Sequence, residues 1–284
     1  MTARSKQQAA SRTRQAASSN SSSVLSKAKG AKQDEFYTQL GDISNELKHY
    51  KVQLRGKTIL CNCDDPFESN FFKYFALNFN TLGLKKLIAM SYKPSPIVGG
   101  QLSLLDIAGL KPNGEEPYAI EINKVPDHKG RGTTDITDVE HLLKHDANTA
   151  WTLKGAGEYN GGDFRSRECV ELLKRSDIVI TNPPFSLFRE YVAQLVEHDK
   201  QFIVIGNINS VSTKEIFKLI KENRIWLGES IHSGDREFRV PDHYPLEASG
   251  VRLDGDGNKY IRVKGVRWFT NIDIEKWLFV EKGG

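Results

Sequence analysis

A carboxamide, two prolines and an aromatic ring stand together at Asn182-Pro183-Pro184-Phe185, directly after the apolar run 178–180. Proline fixes the backbone and has no N–H group, so this stretch offers carbonyl acceptors and few donors. The Asn182 Oδ1 atom and the Pro183 carbonyl can each accept one hydrogen of a planar NH2 group, while the Phe185 ring stacks on its ring. Asn-Pro alone is common in turns, but all four residues after a buried strand favour a site for a planar amine.

Such a site can do chemistry on the amine. The exocyclic nitrogen of a nucleobase is a poor nucleophile because its lone pair is delocalised into the ring. Two acceptors outside the ring plane favour a pyramidal nitrogen and stabilise the positive charge that develops as it attacks. A sulfonium methyl group in line with that nitrogen completes a direct transfer, which needs neither a metal nor a strong base. A base in duplex DNA must leave the stack to reach such a site.

At these residues the sequence resembles amino-group DNA methyltransferases that use S-adenosyl-L-methionine, and most closely the EcoRI-type adenine-specific modification methylases. The segments that carry the resemblance are DEFYTQ (34–39), CNCDDPFESNFFKYFALNF (61–79), LGLKKLIA (82–89), GDFRS (162–166), SDIVITNPPFSLFREY (176–191) and IKENRIWLG (220–228). The resemblance covers residues 34–271 and is weakest over 93–160. It implies a site-specific DNA adenine N6-methyltransferase of a restriction–modification or protective-methylation system.

The resemblance also implies roles for individual residues near the base and the cofactor. Asn182, Pro183 and Phe185 would hold the flipped adenine. Tyr37 and Thr38 would lie near the methionine part of S-adenosylmethionine.

The segment CNCDDP stands where the wider superfamily has a glycine-rich cofactor loop, with Asp64 and Asp65 in place of glycines. This acidic pair can bind the cofactor's ammonium group, or it can cap the following helix. Asp163 is expected to accept a hydrogen bond from the cofactor's adenine amine, with a plain turn residue as the alternative. Phe164 is expected to pack on the adenine ring. The second predicted strand ends in Ser91-Tyr92, without an acid for the ribose hydroxyls.

Basic residues near the C-terminal end are candidates for contacts with DNA phosphates. Arg236 and Arg239 lie in SGDREFRVP (233–241), and we predict that they bind the substrate. Arg262, Lys264 and Arg267 are further candidates. Ordinary solvated charge is the alternative for all five residues.

The elements that position these residues alternate as strand, helix, strand, which is typical of parallel α/β units. Strands are predicted at 57–63, 85–92, 177–182, 201–207 and 225–228, and helices at 43–52, 69–79, 167–176, 187–198 and 212–224. A β hairpin is predicted from 259–263 and 266–271, either side of Lys264-Gly265. We therefore predict an α/β fold with a doubly wound, mostly parallel, Rossmann-like sheet, C-terminal β hairpins and an insertion at about 93–160. Within that insertion, 117–123 can form one arm of a hairpin and 138–145 a short helix.

Charge and composition divide the chain at about residue 33. Residues 1–33 hold seven basic and no acidic residues, so the rest of the +4 chain is net −3. This Ser-, Ala- and Gln-rich tail is predicted to be disordered, with a methyltransferase domain at 34–284. The tail can hold a DNA backbone, act as a solubilising leader, or serve as an organelle transit peptide.

The remaining composition limits the class and the setting of the protein. No apolar run reaches the roughly 18–20 residues of a membrane span, and the three cysteines form no disulfide or zinc framework. The segment DGDGN (254–258) lacks the spacing of a calcium loop, so no metal site is expected. Together with the resemblance, this leads us to expect a cytoplasmic monomer in a bacterial or phage-infected cell that acts on double-stranded DNA, with a cognate restriction endonuclease as a functional partner.

Two classes of alternative stay open at this point. The acceptor can be another planar amine, such as cytosine N4, an RNA adenine or a protein glutamine. The chain can instead be a truncated, inactive relative that only binds DNA, because it ends thirteen residues after Asn271 where we expect the family to continue.

Overall fold

The computed structural model describes residues 37–66, 69–92, 117–127, 130, 135–145, 150–156, 158–240 and 251–274. The predicted tail at 1–33 and the first part of the predicted insertion lie outside the described residues. None of the described helices is long and apolar enough to cross a membrane.

The helices and strands largely follow the predicted alternation, although the single helix predicted at 43–52 is two helices. In chain order they are α1 (Leu40–Leu47), α2 (Lys51–Leu54), β1 (Thr58–Cys61), α3 (Asn70–Leu77), α4 (Phe79–Leu82), β2 (Lys86–Met90), β3 (Tyr118–Ile122), α5 (Ile136–His145), β4 (Ala150–Thr152), β5 (Gly155–Ala156), β6 (Tyr159–Asn160), α6 (Arg167–Arg175), β7 (Ile178–Thr181), α7 (Phe188–Glu197), β8 (Gln201–Asn207), α8 (Lys214–Lys221), β9 (Trp226–Leu227), β10 (Asp235–Val240), β11 (Val251–Leu253), β12 (Lys259–Lys264) and β13 (Val266–Thr270). Short 3-10 helices precede α7 (Phe185–Leu187) and α8 (Ile208–Ser212).

The main sheet is mixed rather than mostly parallel. Within the described residues its strand order is β4-β3-β2-β1-β7-β8-β13-β9. The four central strands, β2, β1, β7 and β8, are parallel to one another, whereas the outer pairings are antiparallel. The predicted parallel sheet is therefore correct for its centre, and antiparallel strands extend it on both sides.

Strands β1 and β7 are neighbours in the sheet, and the chain continues from them to opposite sides of the sheet. From β1 the next parallel strand is β2 on one side, and from β7 it is β8 on the other. The carboxyl ends of β1 and β7 therefore flank the point where the strand order reverses. In open α/β sheets this is the crevice in which ligands bind.

Helices cover both faces of the sheet, as expected for a doubly wound α/β fold. On one face Ile59 of β1 packs in a cluster with residues of α1 and α3, including Phe75. On the other face Leu60 packs with residues of α6 and α7, including Val192. Successive residues of β1 thus enter different cores, which explains why the parallel strands are apolar almost throughout.

The hairpin predicted around Lys264-Gly265 is not formed, because the two strands belong to different sheets. Strand β12 pairs with β10 and β11 in a three-stranded antiparallel sheet, here called the small sheet. Strand β13 pairs with β8 and β9 in the main sheet. The burial patterns explain the difference. In β12 the buried Ile261 and Val263 alternate with exposed residues, whereas β13 buries the adjacent Trp268 and Phe269, one on each face.

Part of the predicted insertion completes the main sheet. Strand β3, predicted as one arm of a hairpin, pairs antiparallel with both β2 and β4 at the sheet edge. Helix α5 forms close to its predicted position. Strands β3 and β4 therefore extend the central sheet, and Tyr118 at the start of β3 lies next to Ser91 at the carboxyl end of β2.

Candidate active site

The Asn182 motif lies at the end of a completely buried strand. All four residues of β7 are inaccessible to solvent. Asn182 follows at 8% exposure, and a 3-10 helix begins at Phe185 after the two prolines. This placement at the carboxyl end of a central strand, beside the crevice, agrees with the sequence prediction.

The carboxylate of Asp64 joins the loop after β1 to the end of β7. Its Oδ2 atom accepts hydrogen bonds from the Thr181 hydroxyl and, at 3.2 Å, from the Asn182 backbone N–H. Its Oδ1 atom accepts from the Ser69 hydroxyl at 2.9 Å. Ser69 is also the side-chain cap of α3. The loop is tied further by the Cys63 N–H, which donates to the Thr181 Oγ1 atom at 3.1 Å.

Burial changes the acidity of this carboxyl group. Removal from water raises the pKa of Asp64 to about 6, although the hydrogen bonds from Thr181, Ser69 and Asn182 lower it. Asp64 is therefore protonated more readily than an exposed aspartate.

The structure separates the two acids that the sequence treats as a pair. Asp64 directs both oxygens into the protein, whereas Asp65 is partly exposed. The Tyr118 hydroxyl, at the start of β3, donates to the Asp65 Oδ1 atom at 2.9 Å. Asp65 is thus the better placed of the two to meet a cofactor ammonium group.

Asn62 and Tyr191, which the sequence analysis did not single out, form a contact beside this loop. Asn62, the first residue after β1, is 2% exposed, and its Oδ1 atom accepts from the Tyr191 hydroxyl of α7. Its Nδ2 atom is buried without a hydrogen-bond partner among the described residues. A buried amide donor at the switch point suits a polar ligand, because such groups are costly to leave unpaired. The sequence signal that could have identified Asn62 is its position directly after a predicted buried strand.

The carboxylate of Asp163 is held by a residue that the sequence analysis also missed. Arg165 donates from Nε to Oδ1 at 2.9 Å and from Nη2 to Oδ2 at 2.8 Å. Its guanidinium group lies 4.5 Å from the centroid of the Tyr159 ring and 5.2 Å from that of Phe164. Asp163 is therefore oriented by a planar bidentate pair, which fixes geometry better than a single hydrogen bond.

The loop that carries Asp163 packs against the carboxyl end of β2. A Cβ atom on Gly162 would lie 2.1 Å from the Ser91 carbonyl oxygen, and the φ of Gly162 is +79°. Glycine is required there for both reasons. Phe164 is 5% exposed and meets Tyr191 edge-on, with ring centroids 5.0 Å apart. These contacts bring Asp163 and Phe164 to the same edge of the sheet as Asn62 and Asp64.

The N-terminal segment lies between the small sheet and α3. Tyr37 and Arg239 exchange backbone hydrogen bonds of 2.9 and 3.2 Å. Asn70 donates to the Thr38 carbonyl at 2.7 Å, which places Thr38 next to the α3 cap. The Thr38 side chain is buried. The structure thus brings Tyr37 and Thr38 close to the loop after β1.

The two arginines predicted to bind DNA point in different directions. In β10, Phe238 and Val240 are buried, and Arg236 shares their side of the strand. Its Nε atom lies 3.6 Å from Asp42 Oδ1 on α1. Arg239 projects from the other side, opposite Tyr260 of β12. Of the two, Arg239 is the better candidate for a phosphate contact.

The acceptors at the end of β7, the loop after β1 with Asn62 and Asp65, and the Asp163 loop therefore lie at the same edge of the sheet. Within the described ranges, no cluster of three or more His, Cys, Asp or Glu residues could hold a metal ion.

Comparison with known proteins identifies the family. The model of the family described as adenine-specific methyltransferase EcoRI matches residues 24–279. The Type II methyltransferase M.EcoRI of Escherichia coli is 44% identical over 251 residues, which is 88% of this chain and 69% of the relative. M.MpnI of Mycoplasma pneumoniae and M.MgeORF184P of Mycoplasma genitalium are 36% and 35% identical over 250 residues, 87% of this chain and 64% of each relative.

The chain thus spans less than two thirds of the length of the two mycoplasma relatives. No solved structure matches it significantly. The match over nearly all of the described residues confirms the resemblance and the prediction of a methyltransferase enzyme. By these matches, the chain belongs to the EcoRI family of adenine-specific methyltransferases.

Proposed function

We propose that this chain transfers the methyl group of S-adenosylmethionine to N6 of adenine at a specific site in duplex DNA. The observation that carries the proposal is the position of Asn182 and its two prolines, beside the reversal of strand order, in a chain of an adenine-specific family. Relatives named Type II methyltransferases support a restriction–modification setting.

At the base, the chain's own groups act as acceptors and as a stacking surface. The Asn182 Oδ1 atom and the Pro183 carbonyl accept the two hydrogens of the adenine amine. Positive charge on the nitrogen is stabilised as the bond to the methyl carbon forms, and electrostatic stabilisation of this kind commonly contributes more to catalysis than any other effect. The Phe185 ring stacks on the flipped base, which must leave the duplex first. The proton lost from nitrogen then passes to solvent or to an acceptor in the crevice.

The residues along the crevice fit S-adenosylmethionine, which supplies an electrophilic methyl group when bound. Asp65 would bind the ammonium group, and the Asn62 Nδ2 atom, which has no hydrogen-bond partner among the described residues, would donate to an acceptor of the cofactor. Asp163, oriented by Arg165, would accept a hydrogen bond from the adenine amine of the cofactor, and Phe164 would lie beside the adenine ring of the cofactor. Tyr37 and Thr38 would lie near the methionine part. These placements correspond to a Rossmann-like cofactor site at the switch point.

Duplex DNA is the proposed partner, and the small sheet lies beside the base motif to receive it. Arg239 is the first candidate for a phosphate contact, because Arg236 is close to Asp42. We further propose a monomer in the cytoplasm of a bacterial or phage-infected cell, with a cognate restriction endonuclease as a functional partner. The basic tail at 1–33 would add phosphate contacts that weaken as salt rises.

One experiment tests the reaction. The 284-residue chain is incubated with mixed-sequence duplex DNA and labelled S-adenosylmethionine, and the DNA is digested to nucleosides. N6-methyladenine is the expected product, and Asn182→Ala should nearly abolish it while cofactor affinity is kept. N4-methylcytosine, or label transferred only to RNA or protein, would identify a different acceptor. Cofactor-independent DNA binding without product would identify an inactive relative.

A further inference from the structure

Asp64 shares its loop with Asp65, yet its side chain contacts the base motif rather than the open crevice. Its Oδ2 atom accepts from both the Thr181 hydroxyl and the Asn182 N–H, and the residue is 9% exposed. We infer that Asp64 is a positioning residue, which fixes the backbone of Asn182 so that the Asn182 and Pro183 acceptors meet the adenine amine. This inference rests on the proposed function.

The prolines make this one contact important. Between Asn182 and Phe185 the two intervening residues have no N–H group, so the Asn182 N–H is the last backbone donor before the 3-10 helix. Asp64 takes that donor at 3.2 Å. Asp64 therefore fixes the backbone nitrogen of Asn182, and the two acceptors, the Asn182 side chain and the Pro183 carbonyl, come directly after that atom in the chain.

The contact is stronger in the ionised form of Asp64, because a charged acceptor makes stronger hydrogen bonds than a neutral one. Three donors converge on its two oxygens: the Ser69 hydroxyl, the Thr181 hydroxyl and the Asn182 N–H. The hydroxyl groups can rotate to accept a proton, but a backbone N–H can only donate. Protonation of Asp64 therefore weakens the hydrogen bond that it accepts from the Asn182 N–H.

The titratable groups that interact electrostatically with Asp64 are Asp65 in the same loop, the Cys61 thiol and the Tyr191 phenol of α7. None of these groups is a cation. The raised pKa of about 6 therefore predicts that turnover falls as the pH drops through about 6, while cofactor binding follows other groups.

A second carboxylate provides a matched control. Asp177 lies just before β7, and its Oδ2 atom accepts from the Thr58 N–H at the start of β1 at 2.7 Å. It joins the same two strands as Asp64, but at their amino ends, far from the crevice. Asp177→Ala tests whether a loosened pair of strands is enough to impair the reaction.

The kinetic test compares Asp64→Ala, Asp64→Asn and Asp177→Ala for kcat on DNA and for the Kd of S-adenosylmethionine. Small misplacements of catalytic groups can cost about 100-fold, so we expect Asp64→Ala to lower kcat by roughly that factor. Its Kd should stay within about twofold, because a group that acts on positioning leaves ground-state binding unchanged. Asp64→Asn should restore part of kcat and lose the fall near pH 6. Asp177→Ala should keep the kcat of the wild-type chain.

Two kinetic outcomes would overturn the inference. A large rise in the Kd of the cofactor with unchanged kcat would make Asp64 the ammonium ligand. An equal loss of kcat in Asp177→Ala would show that the effect comes from strand pairing in general.

A spectroscopic readout is independent of turnover. In a sample labelled with 15N-asparagine, the Asn182 amide signal is the one missing from the Asn182→Ala spectrum. Its proton shift should titrate near pH 6 in the wild-type chain and not in Asp64→Asn. A signal that is insensitive to pH in both would refute the contact. If the wild-type chain makes no N6-methyladenine, the proposed function fails, while this titration still decides whether Asp64 holds Asn182.

Discussion

The ring of Phe185 meets the ring of Phe238 edge-on, with centroids 6.3 Å apart and planes at 87°. Phe238 is buried in β10 of the small sheet, at 1% exposure. The predicted stacking ring is therefore in contact with the element beside which DNA is proposed to lie.

Replacement of Phe185 should reduce methylation through loss of stacking. Stacking of a base on an aromatic ring is worth about 1–3 kcal/mol, so Phe185→Ala should lower kcat/KM for DNA by about 5- to 150-fold. Phe185→Trp should be milder because it keeps an aromatic face. Steady-state methylation of one duplex measures all three proteins. Equal activity in the wild-type chain and both variants would disprove the stacking role.

Loss of Arg165 should weaken cofactor binding. Without its two hydrogen bonds to Asp163, the carboxylate would lose its orientation, and we expect the Kd of S-adenosylmethionine to rise about tenfold. Asp163→Asn should have a similar effect, and the double variant should add little because the residues act as a unit. Calorimetry measures these affinities. Glu190→Ala, which removes only the exposed second partner of Arg165, is the control. Tighter binding in Arg165→Ala would show that Arg165 competes with the cofactor.

Glu46 should contribute strongly to stability. This fully buried carboxylate of α1 accepts from the Glu229 and Ser230 N–H groups at 2.9 and 2.7 Å and from the Tyr50 hydroxyl at 2.9 Å. Glu46→Ala leaves these three donors without their partner, the Tyr50 hydroxyl buried and the two N–H groups partly buried, so the free energy of unfolding should fall by about 3 kcal/mol or more. Urea unfolding measures it, with the exposed Ser44→Ala on the same helix as control. A change below about 1 kcal/mol would contradict this prediction.

Asp64 should make stability depend on pH in a direction unusual for an aspartate. Burial raises its pKa from 3.8 to about 6, so the folded chain binds this proton more tightly than the unfolded chain. The stabilisation is complete below about pH 3.8 and is lost as the pH rises through about 6. Asp64→Asn lacks this titration, so the difference in stability between the two chains should change with pH. Between pH 7.5 and 4.5, urea unfolding should show that difference change by about 2 kcal/mol. A constant difference would contradict the shift.

The sequence predicted elements whose pattern is local. The apolar runs of β1, β7 and β8 depend on neighbouring residues and were placed correctly. Each predicted site residue within the crevice also lies at the end of a strand or in the loop after it. Short-range patterning was therefore enough to place these residues at the edge of the sheet.

Long-range pairing was harder to predict. The turn at Gly265 looks like that of a hairpin, but β13 pairs with β8, some sixty positions away, because both of its faces are apolar. The acidic pair Asp64 and Asp65 looks equivalent in sequence. Only the fold shows that Thr181 and Asn182 approach one acid while Tyr118 approaches the other.

The backbone bridge between Tyr37 and Arg239 has a thermodynamic consequence. It joins the segment proposed to lie beside the cofactor to the strand proposed to contact DNA, so ordering one should lower the entropic cost of ordering the other. Such coupling is reciprocal: whatever factor S-adenosylhomocysteine adds to DNA affinity, DNA must add to its affinity. We expect the two ligands to bind cooperatively, and equal DNA affinity with and without S-adenosylhomocysteine would show that the bridge transmits nothing.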